Sequence, residues 1–213
     1  DSVATFSVSP LRVGYDTLRA KVLYSRIEDE LRALPGVTGV TSSLVPLLSG
    51  ESWGNDVRVQ GFECLPDTDC NSRYTAVGAG YFSMIGASII SGRDFQASDQ
   101  DGGGRVAVVN QAFADKFKLG KDAVGKYMGR SGGNDSLGIQ IVGLVPNVAY
   151  NDAKRPPQPV FYLPWRQQGV IGQLYFYART SLPSDQLIAA IPPMLKRIDP
   201  ALPVQDLKTM PQQ

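Results

Sequence analysis

The stretch VATFSVSPLRVGYDTLRAKVLYSRIEDELRALPGV occupies residues 3–37 and decides the fold. It begins as a short strand that ends at Ser9, and residues 16–34 then have the spacing of an amphipathic helix. The apolar stripe of this helix consists of Leu23, Ile27, Leu31 and Leu34. Pro35 stops the helix, and the run that follows predicts a second strand over residues 37–48. The first part of the chain therefore predicts a strand–helix–strand unit.

The last part of the chain has the same strand–helix–strand pattern. Residues 173–179 (QLYFYAR) and 204–210 predict strands, and residues 184–198 predict a helix between them. Pro192-Pro193 is expected to kink or split this helix, because proline removes a backbone donor. In the first helix, Glu28 is expected on the solvent-facing side with the other charged residues. Two strand–helix–strand units suggest a split βαβ arrangement with both chain ends on one side.

Between these two units the chain changes character. From about residue 50 onward, short strand-like runs alternate with turns rich in Gly, Asp and Pro. Loops at residues 102–104 and 131–134 are rich in glycine. A phosphate cradle needs such a loop between a strand and a helix, usually with a lysine. Here the glycines precede strands, so hairpin or linker loops are favoured, and the middle of the chain is predicted to be β-rich.

Composition excludes several function classes. The chain of 213 residues carries 21 Lys and Arg against 20 Asp and Glu, so a nucleic-acid partner is not expected, since such binding needs a basic excess on one face. It has no histidine, which excludes Ser-His-Asp and Cys-His catalysis and His-ligated metal sites. No nucleophile is paired with a base. Enzyme activity, a cofactor and a bound metal are therefore not expected.

One polar loop holds the candidates for metal or redox chemistry. Cys64 and Cys70 have a Cys-x5-Cys spacing, and without a third soft ligand they are a poor metal pair. In an oxidising compartment a disulfide is favoured over two free thiols. Asp67 and Asp69 lie between them. Paired carboxylates can hold a hard cation, but no further acidic ladder follows, so a solvated turn is favoured.

Five segments resemble the MacB-like periplasmic core domains of ABC-transporter permeases. They are LRALPGV (residues 31–37), YF…IG…GRDF (residues 81–95), VNQAFA with LG and VGK (residues 109–126), IVGLV with PP and YLP (residues 141–164), and DPALPV (residues 199–204). Each motif alone has low specificity, but five in the right order over nearly the whole chain are specific. None of them is a catalytic motif.

The resemblance implies a fold and a domain organisation. We expect an α+β chain in which residues 1–49 and 172–213 form a discontinuous, porter-like split βαβ subdomain. A β-rich, Sabre-like subdomain, residues 50–171, is expected as an insertion. The proline pair and the Cys64–Cys70 loop depart from the usual family pattern.

The resemblance also implies a function. It indicates the extracytoplasmic, periplasmic domain of an inner-membrane permease, of the orphan group found in soil bacteria. Such a domain couples ATP-driven motion of membrane helices to export or to partner engagement. The implied partners are the permease's own membrane helices and a cytoplasmic ATP-binding subunit, with a second permease copy or a periplasmic adaptor as further candidates. The start at Asp1 is interpreted as a cut from a longer chain.

Two alternatives belong to other classes. A free-standing periplasmic ligand-binding module would need a deep cleft with convergent polar groups. A hydrolase of unknown type is disfavoured by the missing histidine. No apolar run reaches the roughly 18 residues of a membrane helix, so any membrane anchor is expected outside this sequence.

Overall fold

The computed structural model describes residues 1–47, 49, 51–132, 137–148 and 156–210. The chain folds into two compact units. The terminal unit consists of Asp1–Leu44 together with Gly169–Gln213, and the inserted unit consists of Val45–Gln168. Gly50, where the β-rich part is predicted to begin, lies outside the described residues.

Both units combine helices with strands. The strands are β1 (Ser2–Val8), β2 (Val37–Ser43), β3 (Trp53–Val59), β4 (Asn71–Val77), β5 (Ser91–Gly92), β6 (Val106–Asn110), β7 (Tyr127–Arg130), β8 (Ile139–Val145), β9 (Val160–Pro164), β10 (Leu174–Thr180) and β11 (Gln205–Met210). The α-helices are α1 (Thr17–Ala33), α2 (Tyr81–Met84), α3 (Gln111–Lys116) and α4 (Ser184–Ile198). The predicted α+β class is confirmed.

The sheet of the terminal unit has the strand order β11-β1-β10-β2. β10 is antiparallel to both β1 and β2, and β11 is antiparallel to β1. β1 and β2 therefore run parallel with β10 between them, and β10 and β11 run parallel with β1 between them. Helices α1 and α4 make the two crossovers. These are two interleaved split βαβ units, as the sequence predicts.

Helix α1 packs on this sheet through a broader stripe than the leucine spacing indicates. Asp16 caps its start by accepting a hydrogen bond from the Arg19 backbone N–H at 2.8 Å. The prediction that Glu28 faces solvent is wrong, because only 1% of Glu28 is exposed. Residue 28 lies one turn beyond the buried Tyr24 and so shares its face. The Ser42 hydroxyl donates to Glu28 Oε1 at 2.6 Å, which satisfies part of this buried carboxylate.

Helix α4 runs from Ser184 to Ile198 with Pro192 and Pro193 inside it. The helix is continuous through this pair, so of the two predicted outcomes, a kink or a split, the split is wrong. Buried side chains lie on both sides of the prolines, namely Leu187, Ile191, Met194 and Leu195. Packing of these side chains stabilises the helix and outweighs the backbone hydrogen bonds that proline removes.

The strands of the inserted unit form a ring. Their order is β4-β3-β7-β8-β6-β9, and a parallel pairing of β4 with β9 closes it. The short strand β5 pairs with β8 outside this path. Because the ring is closed, each of its six strands pairs with a neighbour on both sides over at least part of its length. The interior is filled by apolar side chains, among them Val57, Phe113, Met128, Ile141 and Phe161.

Asn110 joins a helix to the ring. It ends β6 and caps α3, since its Oδ1 accepts from the Phe113 backbone N–H at 2.9 Å. The same oxygen accepts from the Val160 N–H at 3.0 Å. Its Nδ2 donates to the Gln158 carbonyl at 2.9 Å. The capping role follows from the sequence pattern, and the two contacts near β9 require the folded ring.

Within the described part of the chain, no helix is both long enough and apolar enough to cross a membrane.

Candidate functional site

The ends of the chain pair with each other in the terminal unit. Val3 of β1 lies opposite Met210 of β11, and Thr5 lies opposite Lys208. The chain therefore enters and leaves this unit at one end of its sheet. This placement of Thr5 and Met210 agrees with the prediction from the split βαβ arrangement.

The chain leaves the terminal unit, and returns to it, at the other end of the same sheet. Ser43, the last residue of β2, pairs with Tyr175 at the start of β10. Ser7, near the end of β1, pairs with Tyr175 from the other side. A strand of seven residues such as β1 spans about 20 Å. Hydrogen-bonded strands thus connect the paired chain ends directly to the two crossing points.

The crossing end of β2 is unusually polar for a buried strand. Thr41, Ser42 and Ser43 are each no more than 1% exposed. The Ser43 and Tyr177 hydroxyls lie 3.5 Å apart, and Ser42 contacts Glu28. We did not predict this polar cluster from the sequence. The Thr-Ser-Ser run within a predicted strand is the signal for it, because serine is otherwise uncommon inside a buried strand.

The DPALPV segment ties the end of α4 to the start of α1. Asp199 Oδ2 accepts from the Tyr15 hydroxyl at 2.6 Å, and its Oδ1 accepts from the Ala201 N–H at 2.8 Å. The hydrogen bond from Tyr15 holds the pKa of Asp199 below its ordinary value, and the same bond raises the pKa of Tyr15. The motif thus ends α4, and its Asp199 accepts a hydrogen bond from Tyr15, a residue distant in the sequence.

The loop between β3 and β4 contains the predicted disulfide and metal candidates. The structure joins Cys64 and Cys70 by a disulfide, with their Cα atoms 6.2 Å apart. Asp69 Oδ2 pairs with Lys116 Nζ at 3.0 Å, while its Oδ1 accepts from the Asn71 N–H at 2.9 Å. The Asn71 bond and then the Lys116 bond lower the pKa of Asp69. Asp69 is thus engaged by protein donors, while Asp67 is exposed.

Removing the disulfide is expected to have a modest effect. The Cys64→Ser/Cys70→Ser variant should lose about 2 kcal/mol of the free energy of unfolding, because the ring it opens is short. Urea denaturation with and without a reductant measures this loss. Reductant should destabilise the natural protein and leave the double-serine variant unchanged. Two free thiols titrated in the unreduced, denatured protein would refute the disulfide.

The GRDF segment forms an ion-pair turn. Arg93 makes a bidentate pair with Asp99, with Nη1–Oδ2 at 2.8 Å and Nη2–Oδ1 at 2.9 Å. The Gln96 N–H also donates to Asp99 Oδ2 at 2.8 Å. Burial alone raises the pKa of Asp99, but these hydrogen bonds and the Arg93 charge lower it below the ordinary value. Gly92 has φ +75°, and a Cβ there would overlap the Val142 carbonyl.

The Arg93–Asp99 pair is expected to make stability depend on pH. Asp99→Asn should cost about 2 kcal/mol at neutral pH, because it removes a charge-assisted, bidentate partner. The pKa of Asp99 is depressed in the folded state, so its contribution is full above the unfolded value of about 3.9 and is lost as pH falls below it. Urea midpoints from pH 7 to pH 3 should therefore converge for the two proteins.

The matched control for this pH series is Asp115→Asn, which changes an exposed carboxylate on α3. Its midpoint should equal that of the natural protein at every pH. A gap between Asp99→Asn and the natural protein that stays constant down to pH 3 would contradict the assignment.

The described residues of the glycine loops do not lie between a strand and a helix, as those of a phosphate cradle do. Gly102 to Gly104 are exposed and precede β6. Ser131 and Gly132 form an exposed turn after β7, while Gly133 and Asn134 lie outside the described residues. No cluster of three or more Asp, Glu, Cys or His side chains suited to a metal occurs in the ranges that the structure describes.

Comparison with known proteins gives one family and several similar folds. The model of the MacB-like periplasmic core domain family matches residues 2–193. The crystal structure of the periplasmic region of MacB from Actinobacillus actinomycetemcomitans is similar, with a TM-score of 0.59 and 14% identity over 97% of this chain and 87% of that chain. The extracellular domain of the noncanonic ABC-type transporter YknZ from Gram-positive bacteria has a TM-score of 0.56 and 14% identity, over 97% of this chain and 100% of that chain. No curated protein matches the chain.

At these identities the solved structures show the fold, and the family match carries the identification. It includes both crossings between the two units and all the motifs on which the resemblance rests except the last. The predicted family and periplasmic location are confirmed. The family consists of transporter domains, in which ATP hydrolysis belongs to other subunits. The chain belongs to the MacB-like periplasmic core domain family, the extracytoplasmic part of ABC-transporter permeases.

Proposed function

We propose that this domain couples the motion of its permease's membrane helices to export or to the engagement of a partner outside the membrane. ATP hydrolysis on a cytoplasmic subunit drives that motion. The observation that carries the proposal is the layout of the terminal sheet. The chain ends are paired at one end of the sheet, and the two crossing points are paired at the other.

This layout suits mechanical coupling. Membrane helices that flank the domain and pack as neighbours lie roughly 8–10 Å apart, so the domain has to begin and end at adjacent positions. Val3 and Met210 are adjacent. A displacement applied there passes through hydrogen-bonded strands rather than through loops. A packed sheet transmits strain with little loss because protein interiors are poorly compressible.

The domain division has a role in this proposal. We assign residues 1–49 and 172–213 as the porter-like part that receives the motion, and residues 50–171 as the Sabre-like part that engages a partner. A second permease copy and a periplasmic adaptor are the candidate partners for these parts. The permease family favours this proposal over a free-standing ligand-binding module.

A distance measurement in the full permease, assembled with its ATP-binding subunit, tests the coupling. One spin label is attached through Leu18→Cys on α1, where the side chain is 74% exposed. The other label is placed at the extracytoplasmic end of a membrane helix. Because Cys64 and Cys70 are joined, they do not compete for the label. The distance distribution should change between the nucleotide-free and ATP-bound states.

Flexible spacers provide the decisive variant. Gly-Ser segments of about eight residues, which spread over roughly 15 Å, are inserted before Ser2 and after Met210. ATP hydrolysis should continue while the nucleotide-dependent distance change disappears. The matched control places the same spacer in the exposed turn at Gly103 and should retain the change. If the distance distribution between the two labels in the permease without spacers is the same with and without ATP, the proposal is wrong.

A further inference from the structure

The inserted unit has a cavity of about 260 Å³ at one end of its strand ring. β7 ends there at Arg130 and β8 begins there at Ile139. The cavity is lined by Asn55, Arg105, Arg130 and Ile139 and by Gly129 and the turn Ser131-Gly132. The mouths of strand barrels are common positions for small-molecule sites.

Arg130 and Asn55 share the inward face of the ring at this mouth. Val57 of β3, which is 1% exposed and part of the core, lies directly opposite Arg130. Side chains directly opposite each other in an antiparallel pair are on the same face. Asn55 is two positions before Val57 and therefore also faces inward. Two polar side chains thus occupy a face that is apolar deeper in the ring.

Arg130 stacks on an aromatic ring and has no anionic partner among the residues that the structure describes. Its Cζ lies 4.3 Å from the centroid of the Tyr74 ring. Tyr74 is itself packed between Trp53 and Phe161, at centroid distances of 5.5 and 5.2 Å. Among the residues that the structure describes, none forms an ion pair or a hydrogen bond with the guanidinium of the half-buried Arg130. A stacked, planar cation without a counter-charge at a cavity is suited to bind an oxyanion.

Asn55 supplies an independent indication. Its Oδ1 is buried and accepts no hydrogen bond from the described part of the chain. Buried side-chain oxygens are normally satisfied, and leaving one unpaired costs about 1–3 kcal/mol. A donor N–H or O–H from a bound molecule would satisfy it.

No carboxylate is among the described residues that line the mouth. Arg105 also lines it and has a partner of its own. The neighbouring carboxylate, Asp56, is on the opposite face of β3, where its Oδ1 accepts from Asn71 Nδ2 at 3.1 Å. Asp56 therefore does not occupy the position that a ligand oxyanion would take.

We propose that this mouth binds a small carboxylate with an adjacent hydrogen-bond donor. The carboxylate pairs with Arg130, and the donor, an amide N–H or a hydroxyl, bonds to Asn55 Oδ1. The cavity is smaller than the roughly 300–1,000 Å³ of drug-sized sites, so the bound group has about the size of one amino-acid residue. Free N-acyl amino acids and the C-terminal residue of a polypeptide share this chemistry.

Chemical-shift titration of the 213-residue chain tests the site. N-acetyl-L-alanine is the probe, because it carries both the carboxylate and the adjacent N–H. Its addition should shift the backbone amide signals of Gly129, Ser131 and Gly132 and the Asn55 side-chain amide, saturating in the millimolar range. N-acetyl-L-alaninamide lacks the carboxylate and should bind at least tenfold more weakly. Equal titrations by the acid and its amide would overturn the proposal.

Three variants locate the interaction. Arg130→Gln should weaken binding of the acid at least tenfold. Arg58→Gln removes an equal charge from an exposed, outward-facing position of the same strand ring and should bind like the natural protein. Asn55→Asp is nearly isosteric and places a negative charge at the mouth, so it should also abolish binding. If Arg130→Gln fails to fold, Asn55→Asp with the Arg58→Gln control decides the matter. Loss of binding in Arg58→Gln equal to that in Asn55→Asp would refute the site.

A second titration, with a peptide, distinguishes the two sources of the ligand. A tetrapeptide ending in alanine with a free C-terminal carboxylate is compared with N-acetyl-L-alanine. At least tenfold tighter binding of the peptide identifies a polypeptide C-terminus, and equal or weaker binding identifies a free small acid. Either result supports the site. The absence of saturable shifts with both probes rejects it.

Discussion

The Phe176→Ala variant is expected to lose about 3–5 kcal/mol of the free energy of unfolding, the usual cost of removing a buried phenylalanine ring. Phe176 is on β10, which has paired strands on both sides. Its ring stacks on Phe6 at a centroid distance of 5.3 Å and contacts Tyr24 at 6.2 Å. It is 0% exposed. Truncation would leave a cavity between the sheet and α1, where paired strands hold the backbone in place.

Urea denaturation followed by circular dichroism measures this loss. Tyr175→Ala is the matched control, because Tyr175 is adjacent on the same strand, faces the other side and is only half-buried. Its cost should be clearly smaller than that of Phe176→Ala. A Phe176→Ala variant that loses less than about 1 kcal/mol would show that the terminal core is not packed as described.

The Asn110→Ala variant is expected to lose about 3 kcal/mol or more. The substitution removes one side chain that makes three hydrogen bonds in a 3% exposed position. It leaves the Phe113 and Val160 N–H groups, both on buried residues, without this partner, and each buried unsatisfied group costs about 1–3 kcal/mol. The carbonyl of the exposed Gln158 also loses its hydrogen bond. It also removes the cap of α3.

Asn147→Ala is the control for Asn110→Ala. Asn147 also accepts from a backbone N–H near the start of α3, that of Ala112 at 2.8 Å, but it is only half-buried. Its cost should stay near 1 kcal/mol. Equal losses in the two variants, measured by the same urea titration, would mean that the contacts of Asn110 to Val160 and Gln158 contribute nothing.

Asn110 shows how much of the structure a local sequence pattern predicts and which contacts it does not predict. The capping role of Asn110 follows from a strand that runs directly into a helix. Its contacts near β9 join residues about fifty positions apart, and no local pattern contains them. The parallel closure of β4 on β9 is hidden for the same reason. The family motifs are structural: a cap at Asn110 and a helix stop at Asp199.

The wrong predictions have a common cause. The charge of Glu28 predicts a solvent-facing side chain, and the prolines of α4 predict a kink or a split, of which the split does not occur. In both cases tertiary packing outweighs the preference of the single residue. Glu28 is buried beside a hydrogen-bond partner, Ser42, and α4 is held together by its buried apolar side chains. The cavity was not predicted either, because Asn55 and Arg130 come together only through the pairing of β3 with β7.

The position of β10 between β1 and β2 has a consequence for biosynthesis. The two N-terminal strands do not pair with each other and need β10 as their shared neighbour. β10 emerges during translation only after the whole inserted unit, which is one continuous segment. The inserted unit can therefore complete its ring while β1 and β2 still wait for their central partner. During this interval the chain exposes unpaired strand edges, which are templates for pairing with other chains until the terminal sheet closes.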